Sequence, residues 1–187
     1  MVLFINACVR AGQSRTQRLA EVLLKQLNAP YTELVLSDIA FQPVDYSYLQ
    51  TRDLLLSGGD YQHPMFDLAR QFAAADTIVI AAPFWDLSFP AILKQYFEQI
   101  NAVGITFKYT EKGYPVGLCK AKKLYFVTTA GGTFFPEEYG FGYIRALAEN
   151  FYGIEECIMF KAVGLDLDGA DEEQILMDCE KQIREGI

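Results

Sequence analysis

Five short runs of β-favouring apolar residues alternate along this chain with stretches of helical period, and that order restricts the fold more than any other feature. Such alternation calls for a parallel sheet with crossover helices on its faces. The runs are residues 2–7, 31–36, 76–82, 123–128 and 157–163. The third (DTIVIAA) is the clearest, and the first is nearly all apolar, as a strand buried on both faces should be. The second alternates more and belongs nearer an edge. Between the runs, Leu19, Val22, Leu23 and Leu27 recur at helical spacing and predict an amphipathic helix over 14–28. Further helices are expected over 65–75, from Pro90 through Val103, around 144–151, and from about Gly169 to the end. In the last, acidic residues open the helix while Lys181 and Arg184 close it, as the helix dipole favours. Residues 37–64 read as a loop with a short helix near 48–56, and residues 104–118 as an aromatic-rich excursion without helical period.

Five such βα units joined by right-handed crossovers give a doubly wound three-layer α/β sandwich. The natural strand order is 2-1-3-4-5. A length of 187 residues suits one domain over 1–187, and no repeat, low-complexity tract or linker divides it. The longest apolar run is too short to span a membrane. The N-terminal run ending at Cys8 lacks the basic flank and length of a signal peptide, so a cytoplasmic protein is expected. Sixteen basic against 24 acidic residues leave a net charge of −8, which disfavours nucleic acid as a partner. A single histidine, His63, argues against a Ser-His-Asp hydrolase or a His-rich metal site. The four cysteines never fall in Cys-x-x-Cys, so they read as free thiols and no metal is expected.

In doubly wound folds ligands sit at the carboxyl ends of the strands, where the strand order reverses. Three loops therefore matter. After the first strand, Ser14, Arg15 and Thr16 open a helix, whose N-terminus offers unpaired N–H groups to a phosphate. Ser14 with Gln17 equally fits a capping box that needs no ligand. Neither a P-loop nor a dinucleotide fingerprint is present, which favours a mononucleotide. After the third strand, Pro83, Phe84, Trp85, Asp86 and Leu87 put large aromatics where they suit a flat ring better than a core, the alternative being that they cover the sheet end or a subunit contact. After the fourth, Thr129, Ala130, Gly131 and Gly132 let backbone approach a ligand closely.

On these residues the chain resembles the flavodoxin-fold FMN-dependent NAD(P)H quinone reductases and NADH-azoreductases. The closest stretch is residues 81–113, AAPFWDLSFPAILKQYFEQINAVGITFKYTEKG, joined by the Ser14-Arg15-Thr16 arrangement and by Gly131-Gly132. The likeness covers most of the chain and thins over 37–64 and after 150. It implies that Ser14 and Thr16 hold the FMN phosphate with help from Arg15 or Arg10. It further implies that residues 84–87 run along the isoalloxazine, Trp85 against the ring and a loop N–H toward flavin N5. Thr129 to Gly132 would reach the pyrimidine end, and Tyr109 would line the substrate site, across a homodimer boundary. NADH or NADPH is the implied donor, a quinone, azo compound or other flat electrophile the acceptor, and ping-pong hydride transfer the implied mechanism. No side-chain acid or base is demanded. Cys8 stands where the family often has serine, Asp86 where azoreductases tend to have asparagine, and Ala130 where a more polar residue is frequent. The competing readings are a flavodoxin-type electron carrier without NAD(P)H turnover and a binding protein whose flavin site has decayed.

Overall fold

A computed structural model describes residues 1–10 and 12–187. Its main sheet has five parallel strands: β1 (Val2–Asn6), β2 (Tyr31–Val35), β3 (Thr77–Ala81), β6 (Lys123–Thr129) and β7 (Glu156–Ala162). They lie in the order β2-β1-β3-β6-β7. Counting only these five, this is the expected 2-1-3-4-5 arrangement. The intervening β4 (Phe107–Tyr109) and β5 (Pro115–Gly117) form a separate antiparallel hairpin, which is what the excursion over 104–118 contains.

The central strands are buried on both faces, so their apolar residues divide between two cores. Leu3, Ile5, Ile78, Ile80, Leu124 and Phe126 face one side, packed with α3 (Asp67–Ala74), α4 (Ala91–Ile100) and α5 (Phe141–Leu147). Phe4, Val79, Tyr125 and Val127 face the other, covered by α1 (Arg15–Leu27) and α6 (Glu172–Glu185). Period-2 side-chain alternation along each strand makes this division automatic. Edge strand β2 is the exception, half-buried or exposed along its length.

The expected helix near 48–56 is α2 (Tyr46–Ser57), capped by Asp45, whose carboxylate accepts the Tyr48 N–H at 2.8 Å. The segment over 65–75 splits into a 3-10 turn at Pro64–Phe66 and α3. The helix expected around 144–151 is likewise in two parts: α5, then a π-helical turn at Ala148–Tyr152. The hairpin rests against that turn. A Cβ on Gly117 would overlap the backbone of Tyr152 and Gly153, so only glycine lets the two chains approach this closely. The last helix starts later than the sequence suggests, because Gly169 sits at φ +78° and Asp171 supplies the cap, accepting the Gln174 N–H at 3.0 Å.

Among the described residues no helix is long and apolar enough to cross a membrane. Nor do any histidine, cysteine and carboxylate groups among them gather as a metal site.

Candidate functional site

Parallel strands send all their carboxyl ends to one edge of the sheet. There, beside the point where the order turns from β1–β2 to β1–β3, the loops enclose a pocket. From the first loop it is lined by Val9, Arg10, Gln13 and Ser14, and from the start of α1 by Arg15 and Thr16. Pro83, Phe84 and Trp85 form the wall after β3. Thr129, Gly131 and Asp166 complete it from β6 and the loop after β7.

Ser14 caps α1, its hydroxyl oxygen accepting the Gln17 N–H at 3.2 Å. The N–H groups of Ser14, Arg15 and Thr16 meet no acceptor among the described residues, so the positive end of the helix dipole faces the pocket unneutralised. Thr16 is anchored elsewhere: its buried hydroxyl bonds that of Thr129 at 2.6 Å, tying α1 to the end of β6. Arg15 donates to Asp166 at 2.7 Å and reaches Glu172 at 3.4 Å. That hydrogen bond holds the Asp166 carboxyl below its ordinary range.

The wall after β3 is a tight two-residue turn. Trp85 and Ser88 exchange backbone hydrogen bonds of 3.0 and 2.8 Å, leaving Asp86 and Leu87 at φ +50° and +70°. Both angles are left-handed and neither residue is glycine, so the turn stores strain. The Asp86 and Leu87 N–H groups make no hydrogen bond among the described residues. Around them the surface is apolar and open. Trp85 is 39% and Leu87 44% exposed, with Phe134 and Tyr139 also uncovered. The turn is held from behind: Phe84 donates its N–H to Thr129 at 2.9 Å, and its ring lies 4.4 Å from that of Phe135.

At the end of β6, Ala130 is buried and its N–H pairs with Ala162 at 2.9 Å. The Gly131 and Gly132 N–H groups donate to no protein acceptor among the described residues, while both carbonyls accept from the loop after β7.

The expected residues Arg10, Ser14, Arg15, Thr16, Pro83, Phe84, Trp85, Thr129 and Gly131 thus share one pocket. Asp86, Leu87, Ala130 and Gly132 adjoin it without lining it. Cys8 does not line the pocket. Its buried thiol lies 3.7 Å from the Ala81 carbonyl, and burial pushes it up to about 11. Tyr109 stands off on the hairpin, more than half exposed, its ring edge-on to Phe107. Asp166 lies outside the three loops that the sequence marks. The same edge rule applies to the loop after the fifth strand, where Gly164-Leu165-Asp166 is the signal that points to it.

A family model described as a flavodoxin-like fold matches residues 1–187. A protein of Clostridium beijerinckii named FMN-dependent NADH:quinone oxidoreductase is 36% identical over 194 residues, covering 98% of this chain and 96% of its own length. A Clostridium acetobutylicum protein named FMN-dependent NADH:quinone oxidoreductase 2 is 37% identical with the same coverage. The crystal structure of an azoreductase from Bacillus anthracis superposes with a TM-score of 0.85 at 26% identity, over 99% of this chain and 97% of that one. Another from that species, an FMN-dependent NADH-azoreductase in complex with FMN, gives 0.83 at 25% identity, over 99% and 96%. Sheet order and family model together define a flavodoxin-like α/β protein. The chain belongs to the family of the FMN-dependent NADH:quinone oxidoreductases.

Proposed function

We propose that this chain, acting as one domain, binds FMN in the pocket at the ends of β1, β3 and β6 and oxidises NADH at the expense of a quinone, azo compound or similar flat acceptor. The observation that carries the reading is the set of N–H donors with no acceptor among the described residues at the start of α1 and at Gly131, in the pocket that the exposed Trp85 also lines. The residues present fit the cofactor: a helix N-terminus and Ser14 suit a phosphate, and a strained aromatic turn suits the edge and face of a ring.

When bound, FMN would supply the hydride chemistry, on this reading a ping-pong exchange through N5 between the nicotinamide and the second substrate. The chain's part is to bind and polarise. The Ser14 hydroxyl and the N–H groups of residues 14–16 take the phosphate, with Arg10 beside them. The turn at Asp86 and Leu87, whose N–H groups have no acceptor among the described residues, would offer one of them to the ring. Gly131 and Gly132 present preorganised donors where negative charge builds at the pyrimidine end. The reading demands no side-chain acid or base, the proton that joins the hydride on the acceptor being drawn from water. The exposed Tyr109, Tyr114, Val116 and Leu118 of the hairpin give a homodimer an apolar surface to share, with Tyr109 reaching the partner's substrate site. Four cysteines without disulfides suit the cytoplasm.

Anaerobic stopped-flow of the FMN-reconstituted protein tests this. Rapid bleaching of the flavin's visible band by NADH, restored by a benzoquinone, is the expected result. Flavin that binds but is bleached by neither NADH nor NADPH would replace the reductase with an electron carrier.

A further inference from the structure

Of the charged side chains that line the pocket two are arginines, Arg10 and Arg15, and one is an anion. The Asp166 carboxylate lines it among Arg10, Ser14, Arg15 and Thr16, and an anion is an odd neighbour for a phosphate. Its position is nonetheless built rather than incidental. The Asp166 N–H is pinned to the Gly131 carbonyl at 2.9 Å, and a Cβ on Gly131 would overlap the carboxylate, so glycine at 131 is what leaves it room. There it takes the Arg15 guanidinium at 2.7 Å, with Glu172 behind at 3.4 Å. Arg10, by contrast, lines the pocket with no ion pair among the described residues.

We propose that Asp166 is a counter-charge built into the phosphate subsite, competing with the ligand's phosphate for Arg15 and so setting how tightly a phosphorylated flavin is held. The inference rests on the FMN reading above. A phosphate monoester carries about −1.5 to −2 charges at neutral pH. On arrival it meets two arginines of which one is already engaged, and it must share or displace Asp166 to use Arg15. A flavin without a phosphate makes no such demand. The pair therefore acts on phosphate affinity alone and keeps the cofactor exchangeable.

The test is the affinity of FMN and of riboflavin, measured by quenching of flavin fluorescence, for the wild-type chain and for Asp166→Asn. Asp166 is 64% exposed, so this isosteric change leaves both cores untouched. The expected result is FMN binding tightened about tenfold with riboflavin changed less than about twofold, since only the phosphate feels the removed charge. Arg15→Gln should act oppositely, weakening FMN and sparing riboflavin. The slope of FMN affinity against salt should steepen in Asp166→Asn, because the subsite then carries one more uncompensated positive charge. Equal changes for both flavins, or weaker FMN binding in Asp166→Asn, would overturn the proposal and leave the ion pair as a tie between α1 and the loop after β7. A wild-type chain that binds neither flavin would overturn the FMN reading itself.

Discussion

The loops after β1 and after β3 flank one pocket and handle backbone strain in opposite ways. The first needs a left-handed residue and has glycine there, Gly12 at φ +67°, then enters α1 through the Ser14 cap. The second needs two and has Asp86 and Leu87, where a two-residue turn of this kind favours Asn-Gly. A left-handed conformation costs a residue with a Cβ roughly 1–2 kcal/mol. At the α1 end of the pocket the left-handed position is thus filled by the residue that adopts it without strain. The aromatic end is held in an unfavourable conformation by Phe84, Thr129 and the Trp85–Ser88 pair, and what it gains is two side chains and two N–H groups, without an acceptor among the described residues, at a fixed place.

The comparison breaks most severely at the tie between α1 and β6. Thr129→Val strands the Thr16 hydroxyl in a buried position and should destabilise the chain by about 1–3 kcal/mol in urea unfolding. Adding Thr16→Val should recover most of that loss, because both partners are then apolar. At the cap, Ser14→Ala should cost about 1 kcal/mol of stability. On the FMN reading it should also weaken FMN about tenfold or more, as loss of a hydrogen bond to a charged group does. The sign reverses in the other loop. Leu87→Gly relieves strain and should stabilise the free protein by up to about 1 kcal/mol, seen as a higher Tm, while slowing flavin reduction by NADH.

The smallest effect concerns Cys8, at the mouth of the first loop. Burial raises its thiol to about 11, Cys157 and Cys179 to about 11 and Cys119 to about 12. Thiolate is thus scarcer in the folded than in the unfolded chain at pH 8. A thiol-specific reagent should label the native protein slowly at that pH and all four cysteines rapidly in denaturant.

How much of this could be read from the sequence follows from the same physics. Strands β1, β3 and β6 are buried on both faces, so composition alone marks them, and 2-1-3-4-5 is the natural order for five βα units with right-handed crossovers. The hairpin and the π-helical turn were opaque. Gly117 owes its place to the backbone of residues 152–153, a contact distant in sequence that no local pattern encodes. Within the pocket, Ser14 and Trp85 announce themselves by type. Thr16 pairs with Thr129 and Arg15 with Asp166 across more than a hundred residues, so their partners emerge only in three dimensions. The left-handed angles of Asp86 and Leu87 run against local propensity, and such conflicts gather at functional sites.

The chain has one tryptophan, and it stands on the aromatic wall of the pocket. Its single indole N–H resonance in a nitrogen-15 correlation spectrum therefore reports on this loop alone. If the pocket is the flavin site, stoichiometric FMN should displace that resonance by the ring current of the adjacent flavin, with saturation at one FMN per chain. FMN that binds while the Trp85 resonance stays in place would contradict the account.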